Sequence, residues 1–341
     1  MAEEFLSLGY RARSAILRKC EVDLGRSAWI LEKDIWVCWA LRTLFRMPYA
    51  PTMAFKGGTS LSKVYGAINR FSEDVDITID YKSLDPDFDP FDPKLSKAKL
   101  RAHCDGLKGK VIEKVGGQFA DFFARRLGSE TNASGEIEVG EDGESLRIHY
   151  QSALDAAANG YMKPSILVEF GGRNTTQPME LHTVQPYVVG HTVDLFFPTA
   201  EIPVLAGERT FWEKATLIHV ECWRDDFQAR VERKSRHWYD LARLADHEIG
   251  KKALPDRALL ADVVRHKKVF FASAQAHYDE CLSGGLVLVP KNSNLDALRK
   301  DYEVMQANGM FEGEPISFVA MIDRLSALQK EINESAPGAA N

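Results

Sequence analysis

What the chain lacks narrows its possible functions first. Its five cysteines (Cys20, Cys38, Cys104, Cys222 and Cys281) are scattered, odd in number and never spaced as Cys-x-x-Cys. Reduced thiols in a cytoplasm are expected, not a disulfide framework or a thiolate zinc site. No apolar run reaches the about 20 residues of a membrane span, so no membrane partner is expected. The acidic start, Met1-Ala2-Glu3-Glu4, opens no secretory signal. No internal repeat is visible. Serine-hydrolase chemistry lacks its Gly-x-Ser-x-Gly elbow, and phosphate-loop chemistry lacks Gly-x-x-x-x-Gly-Lys-Ser/Thr. His247-Glu248 lacks the second histidine of a zinc protease helix.

Excess positive charge is missing too. The formal net charge of −6 argues against a protein that coats nucleic acid. Two local clusters remain: Arg230, Arg233, Lys234, Arg236 and His237, and Arg265, His266, Lys267 and Lys268. Such runs are ordinarily solvated helix faces. Asp85, Asp87 and Asp89 imitate a calcium loop, but Pro90 stands where glycine is needed and Ser96 where glutamate is needed.

What is present is ordinary in bulk and specific in one stretch. The chain has 341 residues, 45% hydrophobic and 27% charged, enough for one large or two moderate domains. Met53, Ala54 and Phe55 read as an apolar strand ending at Gly57-Gly58, where the chain can turn with positive φ. Thr59 or Ser60 is a natural helix N-cap. Leu61, Val64, Tyr65 and Ile68 then recur at helical spacing. Unpaired N–H groups at that helix start suit a phosphate, with Ser60 and Lys63 adding a hydroxyl and a cation.

A second strand follows. Val75, Ile77 and Ile79 face one way; Asp74, Asp76, Thr78 and Asp80 face the other. Carboxylates two apart on a strand lie roughly 6.5–7 Å apart. They repel unless a cation joins them, and magnesium accepts carboxylates together with substrate phosphates. Two such ions can clamp an in-line phosphoryl displacement. Glu169, alternating with Val168 and Phe170, is either a third carboxylate for this set or a solvated strand residue.

Elsewhere the periodicity predicts helix from about Glu3 to Phe45 and from Lys94 to Leu127, where Phe119, Phe122, Phe123 and Leu127 form a core stripe. Strands are predicted over Ser145–Gln151, Pro164–Phe170, Met179–Val188 and His191–Phe196. From Thr210 onward the pattern is helical. The expected architecture is α+β and bilobed. A mixed-sheet lobe spans 1–200, a helical lobe spans 201–334, a cleft lies between them, and the tail 335–341 is disordered.

These motifs resemble the AbiEii/AbiGii toxin family of nucleotidyltransferase-like proteins, within the DNA polymerase β-type superfamily. Leu31-Glu32-Lys33-Asp34 resembles its N-terminal signature. Phe55-Lys56-Gly57-Gly58-Thr59-Ser60-Leu61 and Arg70-Phe71-Ser72-Glu73-Asp74-Val75-Asp76-Ile77 resemble its turn and carboxylate motifs. Glu208 to Lys214 resembles its lysine motif, and Arg236-His237-Trp238-Tyr239-Asp240-Leu241 its last motif. The spacing from Gly58 to Asp74 exceeds that of the compact nucleotidyltransferases. Gly58 stands where many relatives place serine, so a hydroxyl for phosphate has to come from Thr59 or Ser60.

The resemblance implies a nucleoside triphosphate substrate contacted by Lys56, Gly57, Gly58, Thr59, Ser60, Lys63, Ser72 and Lys214. It implies magnesium on Asp74 and Asp76, with Glu169 a candidate third ligand. Lys214 would neutralise triphosphate charge. Asp240 would orient or deprotonate an attacking hydroxyl; read from the sequence alone, it would simply pair with Arg236. The implied acceptor is an RNA, the 3′ end of tRNA in particular, with translation blocked as a result. The implied partner is a separately encoded antitoxin of the DNA-binding repressor kind. Two other readings stay open: nucleotidylation of protein hydroxyls, and a nucleotide-binding module without turnover.

Overall fold

The alternation of Val75, Ile77 and Ile79 with polar residues makes an extended segment with one apolar side. In the structure, a computed structural model, that segment becomes the middle strand of the main sheet. Residues 3–132, 135–154, 163–308 and 310–336 are described. The chain divides into two units. One comprises Met1–Val64, Glu73–Asp89 and Lys94–Val204; the other comprises Tyr65–Ser72, Pro90–Pro93 and Leu205–Asn341.

The first unit opens with β1 (Glu3–Glu4) and a short 3-10 turn, so the predicted helix starts later than Glu3. It is also broken into α1 (Tyr10–Leu24) and α2 (Ala28–Phe45). The break is Gly25, whose φ of +62° closes α1 in a left-handed cap. α2 is mostly apolar and buried over most of its length, with Trp36 stacked on Tyr150 at 4.6 Å. Next come β2 (Met53–Lys56), α3 (Gly57–Lys63), β3 (Val75–Asp80) and the single turn α4 (Tyr81–Leu84). The predicted Lys94–Leu127 helix is α5 (Lys97–Lys114) and α6 (Ala120–Glu130), joined by a π turn over Val115–Phe119. Its stripe of Phe119, Phe122, Phe123 and Leu127 is buried, as expected.

The strands β4 (Gly135–Val139), β5 (Ser145–Tyr150), β6 (Ser165–Asn174), β7 (Met179–Val184), β8 (Leu195–Phe196) and β9 (Ala200–Leu205) complete this unit. The main sheet runs β4-β5-β6-β3-β2-β9-β7. It is mixed: β3 is parallel to β6 and antiparallel to β2, and β2 is parallel to β9. The fold is therefore α+β with a mixed sheet. Besides β1, two strands of the main sheet were not foreseen. β4 is a largely exposed edge on which only Ile137 and Val139 share an apolar face, and β9 carries Pro203, which lacks a ladder donor. The predicted strand His191–Phe196 shrinks to β8, which pairs with β1 apart from the main sheet.

The second unit is helical: α7 (Gly207–Cys222), α8 (Phe227–Arg230), α9 (Ser235–Asp246), α10 (Glu248–Ala253), α11 (Arg257–Phe270), α12 (Asn292–Ala307) and α13 (Phe318–Glu334). Phe211, Ala215 and Ile218 of α7 and Trp238, Leu241, Leu244 and Ala245 of α9 are buried, as their spacing predicts, whereas Trp223, expected on the face of Phe211, lies just past the end of α7 and is half-buried. The segment between the glycine turn and β3 is also part of this unit. Phe71 N–H donates to the Met310 carbonyl at 2.8 Å, and Glu312 N–H to the Asn69 carbonyl at 3.0 Å. The expected disordered tail begins in order: Ser335 and Ala336 close the end of α13 through backbone bonds to Glu331 and Asn333. Residues 337–341 lie outside the described residues. No described helix is long and apolar enough to cross a membrane.

Candidate active site

The glycine turn is built around a carboxylate. β2 and β3 are antiparallel with Lys56 opposite Asp76, so the chain leaves β2 beside that aspartate. Gly57 turns with φ of +82°, and a Cβ there would stand 1.9 Å from Asp76 Oδ2. Only glycine leaves room for the carboxylate. Thr59 Oγ1 then donates to the Asp74 carbonyl at 2.5 Å, tying the turn to the start of β3.

The helix after the turn differs from its prediction. α3 starts at Gly57, with no side-chain cap, and ends at Lys63. Tyr65 and Ile68 fall outside it, because the chain there joins the other unit. Neither Thr59 nor Ser60 acts as the N-cap. Both are buried, and Ser60 Oγ donates to the Gly57 carbonyl at 2.9 Å.

Asp74 and Asp76 are half-buried at the near end of β3. Glu169 is exposed and in register with Asp76 on the parallel neighbour β6, which puts the two residues on one face of strands about 4.8 Å apart. The rest of the predicted polar face is not open. Thr78 is fully buried. Asp80 is 8% exposed and accepts from Lys82 N–H, Thr176 N–H and the Thr175 and Thr176 hydroxyls. It caps α4 and the loop after β6.

Among the described residues, no three His, Cys, Asp or Glu side chains are gathered as a metal site. Two hard carboxylate donors beside a turn with no side chain at Gly57 still fit magnesium. That ion takes one or two carboxylates and fills its other positions with phosphate and water.

Lys63, read as a phosphate cation, points elsewhere. Its side chain is 3% exposed and pairs with Asp34 of α2. Lys56 and Gly58 are half-buried at the turn, and Ser72 is half-buried in the Tyr65–Ser72 segment of the second unit.

In that second unit, Asp240 is the centre of a buried ion cluster. Arg70 donates from Nε to Oδ1 at 2.7 Å and from Nη2 to Oδ2 at 2.8 Å. Lys214 Nζ lies 2.8 Å from Oδ2. Burial alone would raise the Asp240 carboxyl, but Arg70 and Lys214 hold it well below the usual carboxylate range. The expected pairing with Arg236 is replaced by this longer-range cluster. His237 is driven well below the usual imidazole range, first by burial and then by Lys214 and Arg236, and is neutral at pH 7.

The two basic clusters are largely neutralised. Lys234 pairs with Glu221, Arg230 with Asp226, Arg265 with Asp262 and Lys268 with Asp279. Sequence reasoning gave no role to Arg70, or individually to Lys33 and Asp34. The signal was available: charged residues inside strongly apolar surroundings are expensive to bury and must have partners.

The mixed sheet that carries two aspartates against a glycine turn belongs to a chain of the nucleotidyltransferase class, as its family match shows. Residues 39–324 match the family described as nucleotidyl transferase AbiEii toxin, type IV TA system, and the chain belongs to that family. No curated protein matches it in sequence. Membership implies transfer chemistry on a nucleoside triphosphate and a separate antitoxin as partner. The matched span begins after Leu31-Glu32-Lys33-Asp34.

Proposed function

We propose that this protein transfers a nucleoside monophosphate from a nucleoside triphosphate to a hydroxyl of RNA, the 3′ end of tRNA, and so blocks translation. The observation that carries the reading is the fit of Asp76 against Gly57, which joins phosphate turn and carboxylate strand in one unit. The acceptor oxygen bonds to the α-phosphorus, the bond to the bridging oxygen of the β-phosphate breaks, and pyrophosphate leaves. The hydroxyl proton passes to solvent. Asp74 and Asp76 would hold magnesium; Glu169, in register with Asp76 on the next strand, is the candidate for a third donor. When bound, the metal supplies positive charge to the transferring phosphoryl group.

The main chain at Gly57 and Gly58 borders the phosphates. Lys56 and Ser72 remain in the reading as nucleotide contacts, and Lys214 as the cation for phosphate charge. Asp240 changes role. A carboxylate with no exposure and both oxygens engaged positions Arg70 and Lys214 and takes no proton from substrate. The antitoxin is read as a DNA-binding repressor, and the compartment as the cytoplasm.

The test is incubation with Mg²⁺, total RNA and each α-labelled nucleoside triphosphate in turn, with Asp76→Ala as control. The expected result is label on a tRNA-sized band, absent in the variant. Label on protein alone would transfer the assignment to nucleotidylation of protein hydroxyls. Tight nucleotide binding without pyrophosphate release would leave a binding module.

A further inference from the structure

Three consecutive charges, Glu32, Lys33 and Asp34, lie in the otherwise apolar helix α2, and they are only 1%, 4% and 4% exposed. Successive helix positions point about 100° apart, so three neighbours leave in three directions. Each meets a different segment. Glu32 accepts from Ala153 N–H at 2.6 Å and from Ser152 Oγ at 2.5 Å. Lys33 pairs with Glu73 and donates to the Lys163 carbonyl at 3.1 Å. Asp34 pairs with Lys63 and accepts from Tyr187 N–H at 2.8 Å. The Lys63 ammonium also lies 4.2 Å from the centre of the Tyr187 ring.

The contacts of Lys33 and Asp34 lead to the elements of the candidate site. Glu73 immediately precedes Asp74, and Lys163 lies two residues before β6, the strand of Glu169. Lys33 therefore ties together the near ends of both carboxylate strands. Lys63 is the last residue of α3, so Asp34 fixes the far end of the turn helix. Buried ion pairs add little net stability compared with apolar replacements. Held geometry is a better account of two adjacent ones, Lys33–Glu73 and Asp34–Lys63. Carboxylates that repel each other bind a cation well only when their strands are braced beforehand.

Building on the proposed magnesium-dependent transfer, we infer that Lys33 and Asp34 are positioning residues. Lys33, through Glu73 and the Lys163 carbonyl, sets the carboxylate strands for a divalent cation. Asp34, through Lys63, sets the turn helix, and Lys63 makes no phosphate contact.

The experiment measures Mn²⁺ affinity by electron paramagnetic resonance, fluorescent nucleotide affinity, the Mg²⁺ needed for half-maximal turnover, and thermal unfolding. Lys33→Met is expected to weaken Mn²⁺ binding about tenfold or more and to raise the Mg²⁺ requirement to match. Glu73→Gln keeps the size and a hydrogen-bond acceptor; it should shift both in the same direction with little change in Tm, and it carries the test if Lys33→Met does not fold. The paired change Asp34→Leu with Lys63→Met should recover the Tm lost by either single change and keep nucleotide affinity within about threefold of wild type.

Folded Lys33→Met or Glu73→Gln protein with wild-type Mn²⁺ affinity overturns the role of Lys33. Nucleotide affinity lost equally in Lys63→Met and in the paired variant overturns that of Asp34. Failure of the transferase reading looks different: wild type would label no acceptor while the Mn²⁺ affinities still fell as stated. A wild type that binds no Mn²⁺ overturns the role of Lys33 as well.

Discussion

Arg70 grips Asp240 with two parallel bonds, 2.7 and 2.8 Å long, although 170 residues separate them in sequence. Bidentate guanidinium–carboxylate pairs of this kind are strong and directional. The pair joins the segment leading into the carboxylate motif to the helix of the last family motif. Asp240→Ala would leave Arg70 and Lys214 as buried cations without their anion. A loss of about 3–5 kcal/mol is expected, read by denaturant unfolding. A general base with no structural role would instead lose turnover at unchanged stability.

The same cluster predicts an acid dependence. The folded Asp240 carboxyl titrates below its unfolded value of about 3.9. Its contribution is complete above that value and is lost as pH falls through the folded one. Wild-type Tm should therefore fall more steeply than that of Asp240→Asn on acidification below about pH 4.

Two histidines act at higher pH. His219 accepts from Val287 N–H at Nδ1, 2.9 Å, and donates from Nε2 to the His277 carbonyl at 3.1 Å, an arrangement that only the neutral ring satisfies. Burial, the leading cause, lowers both His219 and His237. The unfolded chain takes up these protons below about pH 6.5 and the folded one resists. Stability is then full above that pH and declines as pH falls from it. His237→Gln should flatten the slope of Tm between pH 7 and 5.

Asp76 and Asp80 lie on the same face of one strand but predict opposite outcomes. Asp74→Ala and Asp76→Ala should abolish nucleotide transfer with stability within about 1 kcal/mol of wild type, since both are half-exposed. Asp80→Ala strips several buried donors of their acceptor and should cost about 2 kcal/mol or more. Transfer assays and unfolding curves on the three variants decide it.

Gly57→Ala puts a methyl group 1.9 Å from Asp76 Oδ2 at a φ of +82°. Turnover should fall by about a hundredfold, because a misplacement on the order of 1 Å costs that much. Backbone strain should add a loss of about 1–2 kcal/mol. Turnover together with Tm checks both parts.

Much of this was legible from local pattern. Strand alternation placed Val75, Ile77 and Ile79 inside, and helical spacing placed Trp238, Leu241 and Leu244 there, because one-face burial follows directly from side-chain period. The turn at Gly57 was legible because glycine is needed wherever φ is positive and another group stands close. Local pattern was silent where a residue's partner is remote. Lys63 and Asp240 carry the right chemistry for phosphate and proton work, yet their charges are met by Asp34 and by Arg70 with Lys214. Short or exposed edges such as β1 and β4 also escaped, since two residues show no period and β4 buries almost none of its surface.

The sequence by itself determined the strand–turn–helix–strand order, the apolar faces and the identity of the carboxylates, because these depend on neighbours within a few positions. Only the tertiary structure decided which charges stay half-exposed beside the turn and which are buried against a counterion. That choice turns on burial and on what each charge meets across the fold, and a buried charge has to find its counterion wherever the chain brings one.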